Sequence, residues 1–366
     1  MQENILTLPE YPQSVDIWRN LQFERRPIMV YGMGNGADKL FERFSKYGIT
    51  PKEIFASDGF VRGHSFRGMK VRSFSEIREN YEDFVIVVSF ASNRPEVISL
   101  IRDMADKYTV YIPDMPVAGN EYFDLDFYNA HYDEIKEAYS SLADDESRAV
   151  FASMVRYKLT ADPRYLFANT CSSADILSLI PNNIRKAVDA GAYNGDTVRE
   201  MLAVFPDIER IYAVEPDARN YKKLLKFITE SNLSEKVMAE QFAVWSSDCE
   251  GGFIGSGNRN SSVNSSASYK SREESVPLRS LDNAIDDTVN YIKYDVEGAE
   301  HEALVGSNSL IWGNRPALLV SAYHRSEDIF SLVNKISREY PFYDIRMRRT
   351  ECFPAWEIAI IAVENV

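Results

Sequence analysis

Two short stretches of this chain constrain its fold more than any other feature. Each has an apolar run, a turn with glycines and a helical pattern: 28-IMVYGMGNGADKLFERF-44 and 186-KAVDAGAYNGDTVREML-202. An apolar run that leads through a glycine turn into an amphipathic helix is typical of the start of a β-α-β unit. Strand and helix patterns continue to alternate after each stretch, so we predict two α/β units with parallel sheets.

The predicted organisation has three parts: a unit over 1–114, a helical connector over 115–180 and a second unit over 181–366. The connector is rich in Tyr, Phe, Asp and Glu and has helical periodicity, which favours a packed element over a flexible linker. The predicted strands are Ile28–Tyr31, 53–58, 84–91 and 108–114, then 186–190, 210–215, 238–244, 290–295 and 317–323. A final antiparallel pair is predicted at 342–348 and 357–363, because the loop between them is too short for a crossover helix.

Net charge and cysteine usage exclude several classes of protein. The chain of 366 residues has a formal charge of −14, which argues against nucleic acid as the main partner, although Arg346, Arg348 and Arg349 form a candidate basic patch. No apolar run is long enough to predict a membrane span, and no signal peptide is recognised. The three cysteines form no pair motif, so we expect a cytoplasmic location.

The glycine turn of the second unit predicts a ligand site. Asp189 ends the strand, and Gly191 and Gly195 let the backbone approach a ligand where the helix begins at Asp196–Thr197. A carboxylate at this helix start repels a pyrophosphate but suits an amino group and a sulfonium, which favours S-adenosylmethionine over NAD. Glu215 ends the next strand and can accept hydrogen bonds from both ribose hydroxyls.

A third acidic stretch, 291-YIKYDVEGAEHEAL-304, follows the same pattern of strand, turn and helix. Asp295 and Glu297 lie at the strand end, so they are candidates for contacts with a substrate or a metal. Glu300 is predicted to be an acidic residue at a helix start that the helix dipole stabilises. Lys293 and Asp295 are two residues apart on one strand and should face the same side.

Together these stretches resemble the FkbM family of S-adenosylmethionine-dependent methyltransferases. The resemblance covers about 180–366 and rests on the order VDAGAYNGDT, VEPD, PLRSLDNAI and YIKYDVEGAE, followed by SAYHRSEDIFSLV and the terminal pair. It implies a C-terminal class I, seven-stranded, Rossmann-like methyltransferase domain, with the adenine near Phe242–Val244 and against Ala243. The implied cofactor-binding residues are Asp189, Gly191, Ala192, Tyr193, Gly195, Asp196, Thr197, Glu215, Pro216, Ala243, Val244 and Asp295. Such relatives typically methylate hydroxyls of sugars and other small molecules, which implies a small-molecule or glycan acceptor.

His324 is the first candidate for the general base of such a reaction, since a hydroxyl acceptor benefits from losing its proton. It follows the fifth strand of the second unit, whereas His301 is expected to be structural. The alternative is that His324 serves only structural hydrogen bonds. Asp295, Glu297 and His324 are the candidate catalytic residues, and they also form a candidate ligand set for magnesium or manganese.

The sequence of the first unit indicates a ligand less specifically than that of the second. Gly32, Gly34 and Gly36 follow a strand and precede a helix, with Ala37 in the place of a third glycine, and Asp58 comes 26 residues after Gly32. This pattern resembles a Rossmann-like domain that binds a nucleotide or nucleotide-sugar; a scaffold or a homodimer contact is the alternative. Two other functions also remain open: an NAD(P)-dependent oxidoreductase that uses the first unit, and a non-catalytic nucleotide-sugar-binding scaffold that keeps the methyltransferase fold. The polar insertion 246–276 is either a lid or a solvated loop.

Overall fold

The computed structural model describes residues 16–61, 63–254, 262–264 and 274–365. They form two open α/β sheets joined by helices, with a small third sheet beside the second. The prediction of two α/β units with parallel strands is confirmed by the strand pairing.

The first unit has strands β1 (Ile28–Tyr31), β2 (Glu53–Ala56), β3 (Ser65–Phe66), β4 (Met69–Ser73), β5 (Val85–Val88) and β6 (Thr109–Tyr111). Its helices are α1 (Ile17–Gln22), α2 (Asn35–Tyr47), α3 (Phe74–Asn80) and α4 (Pro95–Ala105). The sheet order is β3-β4-β2-β1-β5-β6, and every pair is parallel except β3 with β4. All four predicted strands exist, but three end earlier than expected.

The β3–β4 hairpin was not predicted from the sequence. Its two-residue turn is Arg67–Gly68, where both residues have positive φ, +47° and +80°. Such a turn usually contains Asn-Gly or Asp-Gly, and the Arg-Gly pair lacks that signal.

The connector consists of five helices: α5 (Leu125–Ala130), α6 (Tyr132–Ser141), α7 (Asp145–Thr160), α8 (Pro163–Leu166) and α9 (Ser173–Leu177). Helix α7 is buried along nearly its whole length. Its Phe151 and Met154 share one apolar core with Met29 of the first sheet and Val188 of the second. The connector therefore packs between the two units as a structural element, as its aromatic content predicted.

The second unit has strands β7 (Lys186–Ala190), β8 (Arg210–Val214), β9 (Val237–Glu240), β10 (Ala243–Val244), β11 (Cys249–Ile254), β12 (Ser262–Asn264), β13 (Glu274–Arg279), β14 (Tyr291–Tyr294), β15 (Ala317–Ser321), β16 (Tyr343–Arg349) and β17 (Ile358–Glu364). Its helices are α10 (Asp196–Val204), α11 (Ala218–Glu230), α12 (Leu281–Ala284), α13 (Glu300–Val305), α14 (Asn308–Asn314) and α15 (Asp328–Glu339). The main sheet has seven strands in the order β16-β17-β15-β14-β7-β8-β9. Strand β17 is antiparallel to both neighbours, which confirms the predicted terminal pair.

The prediction of one strand over 238–244 is wrong. The chain leaves the main sheet after β9, and β10 pairs instead with β13 in the small sheet β10-β13-β11-β12. Between them Phe242 is buried, so the chain turns inward here and breaks the alternation of a single strand. Part of the 246–276 insertion lies outside the described residues, and its role as a lid stays a prediction.

The predicted basic patch is also wrong, because Arg348 and Arg349 are buried. Arg348 donates to Asp144 Oδ2 at 3.1 Å and to Ser147 Oγ at 2.7 Å, both at the start of α7. Arg348 also lies 2.8 Å from Glu146 Oε2. These arginines therefore attach the connector to β16 and do not form a surface for phosphates.

No helix in the described part of the chain is both long and apolar enough to cross a bilayer.

We expect Arg348→Met to lower the free energy of unfolding by about 2 kcal/mol, because it removes the hydrogen bonds that the buried Arg348 donates to Asp144 and Ser147. Urea unfolding of the full chain measures this. The control is Arg338→Met, whose pair with Glu137 is exposed and should contribute less than about 1 kcal/mol. Equal effects of the two substitutions would contradict the attachment.

Candidate active site

A cavity of about 440 Å³ opens at the carboxyl ends of β7, β8 and β14. From β7 the sheet grows through β8 and β9 on one side and through β14 and β15 on the other. Such a topological switch point is the usual ligand position in open parallel sheets. Eleven residues predicted from the sequence line it: Gly191, Tyr193, Asp196, Thr197, Glu215, Pro216, Ala243, Val244, Asp295, Glu297 and His324.

Three predicted cofactor residues, Asp189, Ala192 and Gly195, do not line the cavity. Asp189 is fully buried behind the turn, where it accepts a hydrogen bond from Thr197 Oγ1 and lies 3.9 Å from Lys293 Nζ. Ala192 is also fully buried and packs in the core with Val198. The side chains of Asp189 and Ala192 therefore pack behind the turn, and a Cβ on Gly195 would lie 2.4 Å from the ring of Phe227 on α11.

Gly191 is required by a close approach of two backbones. Its φ is +93°, and a Cβ atom here would lie 1.9 Å from the carbonyl oxygen of Asp295. The Asp295 N–H donates to Ala190 O at 2.9 Å, so the turn and the end of β14 are in direct contact. In the first unit, a Cβ on Gly36 would likewise lie 2.1 Å from the carbonyl oxygen of Ser89. Any side chain at either position would push the adjacent strand end away.

Glu215 follows β8 and is almost fully buried at the cavity wall. Its carboxylate accepts from the N–H groups of Tyr193 and Asp217, each at 2.8 Å. Burial raises the pKa of Glu215 to about 7, despite these two hydrogen bonds. Each oxygen has a further lone pair, so the group can still accept from a ligand hydroxyl.

Acidic groups dominate the cavity, and one buried lysine offsets part of their charge. Lys293 Nζ lies 3.3 Å from Asp295 Oδ2 and 3.9 Å from Asp189 Oδ1, so Lys293 and Asp295 share a side as predicted. Burial favours the neutral amine, but the charges of Asp295 and Asp189 raise the pKa of Lys293. Asp196, Glu200 and Glu357 add further carboxylates to the lining. The cavity therefore suits a ligand that carries positive charge.

His324 is buried among carboxylates at the far end of the cavity. Its Nδ1 lies 2.9 Å from Glu300 Oε1, within ion-pair distance, although the angle is not that of a hydrogen bond. Its Nε2 lies 3.5 Å from Glu297 Oε2 and 3.6 Å from Asp295 Oδ1. Burial alone would lower the pKa of His324, but the charges of Glu300, Asp295 and Glu297 raise it to about 10. The imidazole is therefore protonated at neutral pH.

Glu297 combines a left-handed backbone conformation with a carboxyl group of raised pKa. Its φ is +56°, in the left-handed region, and Gly298 follows with φ +97°. This turn carries the side chain toward the cavity, where it remains 26% exposed. Burial raises the pKa of Glu297 to about 8, although the charge of His324 opposes the shift.

The candidate metal site differs from the predicted set. In the described part of the chain, ligand atoms of Asp295, Glu300 and His324 lie within 4.8 Å of one another, so Glu300 takes the place of Glu297. The two imidazole nitrogens face different carboxylates, however, and one ion cannot bind both. The arrangement fits an ion-paired imidazolium better than a metal centre, so a metal is not needed to account for the cluster.

Several lining residues were missed by the sequence reasoning: Val117, Glu200, Asn220, Tyr323, Trp356 and Glu357. Tyr323 lies next to His324 and donates to Asp295 Oδ1 at 3.2 Å, so its position in the sequence was a usable signal. Val117 comes from the connector, and Trp356 from the loop between β16 and β17. No local pattern announces these two, because only the packing of distant segments brings them to the cavity.

The first unit has a cavity of its own, of about 240 Å³, beside its glycine turn. Gly34, Gly36 and Lys39 line it, but Asp58 does not. Asp58 instead accepts from the N–H and hydroxyl of Ser75 at the start of α3, at 3.0 and 2.6 Å. Asp58, which was counted in the Rossmann-like pattern of the first unit, therefore supports a helix.

Comparison with known proteins now identifies the second unit. Residues 189–347 match the family model described as the Methyltransferase FkbM domain. The chain carries an FkbM methyltransferase domain. It is therefore an S-adenosylmethionine-dependent methyltransferase, which confirms the resemblance drawn from the motifs. The alternative of an NAD(P)-dependent oxidoreductase concerns the first unit, which lies outside the residues that match the family model.

Solved structures extend the likeness to the whole fold. The crystal structure of a methyltransferase FkbM from Methylobacillus flagellatus KT is similar over 98% of this chain and 95% of its own, with a TM-score of 0.70 and 20% identity. A putative rRNA methylase from Clostridium thermocellum is similar over 53% of this chain and 93% of its own, with a TM-score of 0.33 and 12% identity. Among curated proteins, no sequence matches this chain. The first comparison shows that the first unit and connector are part of the shared fold.

We expect binding of S-adenosylhomocysteine to strengthen between about pH 6 and pH 8. Glu215 has its pKa raised to about 7, and its ionised form is the better acceptor for two ribose hydroxyls. Ionisation then increases affinity by about tenfold at most over this range. Titration calorimetry at several pH values measures the effect.

Glu215→Gln should bind more weakly and lose this pH dependence, whereas Glu235→Gln, at an exposed position away from the cavity, should behave like the unmodified protein. A pH dependence that persists in Glu215→Gln would show that another group is responsible.

Proposed function

We propose that the protein transfers the methyl group of S-adenosylmethionine to a hydroxyl of a sugar, a glycan or a sugar-linked small molecule. One observation carries the proposal. The Glu215 side of the cavity, where the cofactor would bind, and the cluster of His324, Asp295 and Glu297 belong to one continuous space. A methyl donor and a group that removes a proton from a hydroxyl can therefore meet in it.

In this proposal the acidic turn binds the cofactor. Glu215 accepts the ribose hydroxyls, and Asp196 pairs with the ammonium of the methionyl part. Gly191 would let the backbone lie against that part, while Ala243 and Val244 would contact the adenine. The carboxylates around Lys293 are supported by its charge and stabilise the sulfonium electrostatically.

We propose Glu297 as the group that takes the acceptor's proton. Its carboxyl reaches the cavity, and a pKa raised to about 8 makes its ionised form a stronger base than an ordinary carboxylate. The bound cofactor would supply the methyl group to the acceptor oxygen, and its sulfur would keep the electron pair of the broken carbon–sulfur bond. Glu297 would take the proton that the acceptor hydroxyl loses.

His324 takes a different part from the base predicted from the sequence. An imidazolium cannot accept a further proton, so in our proposal His324 is a positioning residue. Its charge holds Glu297 and Asp295 at the cavity wall, and Glu300 holds the ring from the other side. Asp295 in turn links this cluster to Lys293 and Tyr323.

Three further expectations stay predictions. A nucleotide or nucleotide-sugar at the first unit is compatible with its cavity, but a homodimer and a cytoplasmic location have no support beyond the sequence. A non-catalytic scaffold predicts that Asp295 and His324 can be lost without effect on the role of the protein.

The proposal is tested by incubating the protein with labelled S-adenosylmethionine and a panel of sugars, sugar phosphates and nucleotide-sugars. Transfer of label to oxygen in a sugar methyl ether is expected. Label on nitrogen or carbon alone would overturn the assignment to a hydroxyl, and binding of the cofactor without transfer to any of the panel would favour the scaffold.

With the acceptor that the panel identifies, Glu297→Gln should lower kcat by about 10²-fold or more, because the amide cannot take a proton. Its affinity for S-adenosylhomocysteine should stay within about twofold, since no cofactor contact is removed. The control is Glu302→Gln, on α13 but outside the cavity. Unchanged kcat in Glu297→Gln would assign the proton to another group.

A further inference from the structure

The two cavities are neighbours with a common wall. Val117 and Trp356 line both the cavity of about 440 Å³ in the second unit and that of about 240 Å³ in the first. The N–H of Val117 donates to His324 O at 2.9 Å, so this wall is one hydrogen bond away from the catalytic cluster. A ligand in the first unit therefore lies close to the place where methyl transfer is proposed.

The smaller cavity has the opposite charge character to the larger one. Among its described lining residues, Lys39 is the only charged side chain. It is half-buried, and it donates to Pro116 O at 2.8 Å, which leaves two ammonium protons for a ligand. The nearby Asp38 is directed to Arg67, at 2.8 Å.

Other donors complete this character. The 13-residue helix α2 begins at the glycine turn, and Gly34, Asn35 and Gly36 at its start line the cavity. The first N–H groups of a helix have no partner within the helix, so this end of α2 adds hydrogen-bond donors and positive potential. The indole Nε1 of Trp356 is buried and has no hydrogen-bond partner among the described residues. The rest of the wall is largely apolar, with Met33, Leu40 and Phe90. In a chain with a net charge of −14, a cavity with donors, a cation and no carboxylate is suited to an anion with an apolar part.

We propose that the methyl acceptor spans both cavities, with an anionic group beside Lys39 and its hydroxyl beyond Trp356 at Glu297. This rests on the proposed O-methyl transfer and adds the substrate class: a hydroxyl compound that carries a phosphate or diphosphate. The shared chemistry is the anion, and both a sugar phosphate and a nucleoside diphosphate sugar supply it. The first unit is then the acceptor-binding part of the enzyme, and Trp356 sits where the acceptor passes between the units.

Binding of the anion is measured by calorimetry with inorganic pyrophosphate, glucose 1-phosphate and UDP-glucose as probes. Lys39→Met should weaken the binding of each probe by tenfold or more, because it removes the cation and keeps the apolar stem. Trp356→Phe, which removes the N–H and keeps a ring, should weaken it less. Lys46→Met, at an exposed position on the same helix, is the control and should have no effect. Absence of binding, or equal binding by Lys39→Met, would overturn the anion site.

The span itself is tested by nuclear Overhauser effects between two bound ligands. With S-adenosylhomocysteine in place, sugar protons of glucose 1-phosphate or of UDP-glucose should contact the cofactor's methionyl protons. The probe that shows the contact identifies the source of the anion. If both probes bind and neither shows it, the two cavities hold separate ligands and the span is wrong.

These outcomes are distinct from failure of the proposed function. Binding of S-adenosylhomocysteine and methylation of a neutral sugar, with no effect of Lys39→Met on KM, would keep the O-methyltransferase and reject the anionic acceptor. Absence of S-adenosylhomocysteine binding to the unmodified protein would reject the proposed O-methyl transfer, whatever the anion probes show.

Discussion

The contact between the glycine turn and the end of β14 is the constraint on which the site depends. Gly191 lies so close to the carbonyl oxygen of Asp295 that no side chain fits between them. This contact, with the hydrogen bond from Asp295 N–H to Ala190 O, places the carboxylates of two parallel strands around one cavity. Glu215 joins them because β8 pairs with β7 in register on the other side. The cavity wall at Glu215 and the cluster of Asp295, Glu297 and His324 are therefore consequences of one close strand–turn packing.

The carboxylates of the site repel one another, and two buried cations offset this repulsion. Lys293 lies between Asp189 and Asp295, and His324 lies among Asp295, Glu297 and Glu300. Without them, buried like charges would force several acids to take up protons. The two cations leave the cavity acidic enough to attract a sulfonium, while Glu297 keeps a raised pKa. Asp295 and Glu300 are therefore ion-paired, whereas Glu297 has a raised pKa and is the group that we propose accepts a proton.

The connection of the two units gives the cavity its outer wall. The connector contributes Val117, and the loop before β17 contributes Trp356, so neither unit alone encloses the space. Burial of α7 in a core shared by both sheets, and the attachment of Arg348 to its start, hold these segments in place. The similarity of fold to the methyltransferase from Methylobacillus flagellatus KT over nearly the whole chain fits this interdependence.

The sequence by itself determined the α/β class, the position of most strands, the antiparallel end of the main sheet and the glycine turn at the larger cavity. These follow from local rules, since apolar runs, glycine turns and acidic strand ends need no distant partner to be recognised. The tertiary structure alone decided that His324 is ion-paired, that Arg348 and Arg349 are buried, and that Trp356 belongs to both cavities. Protonation, burial and cavity walls depend on groups far apart in the chain, because the electric field and the packing act through space.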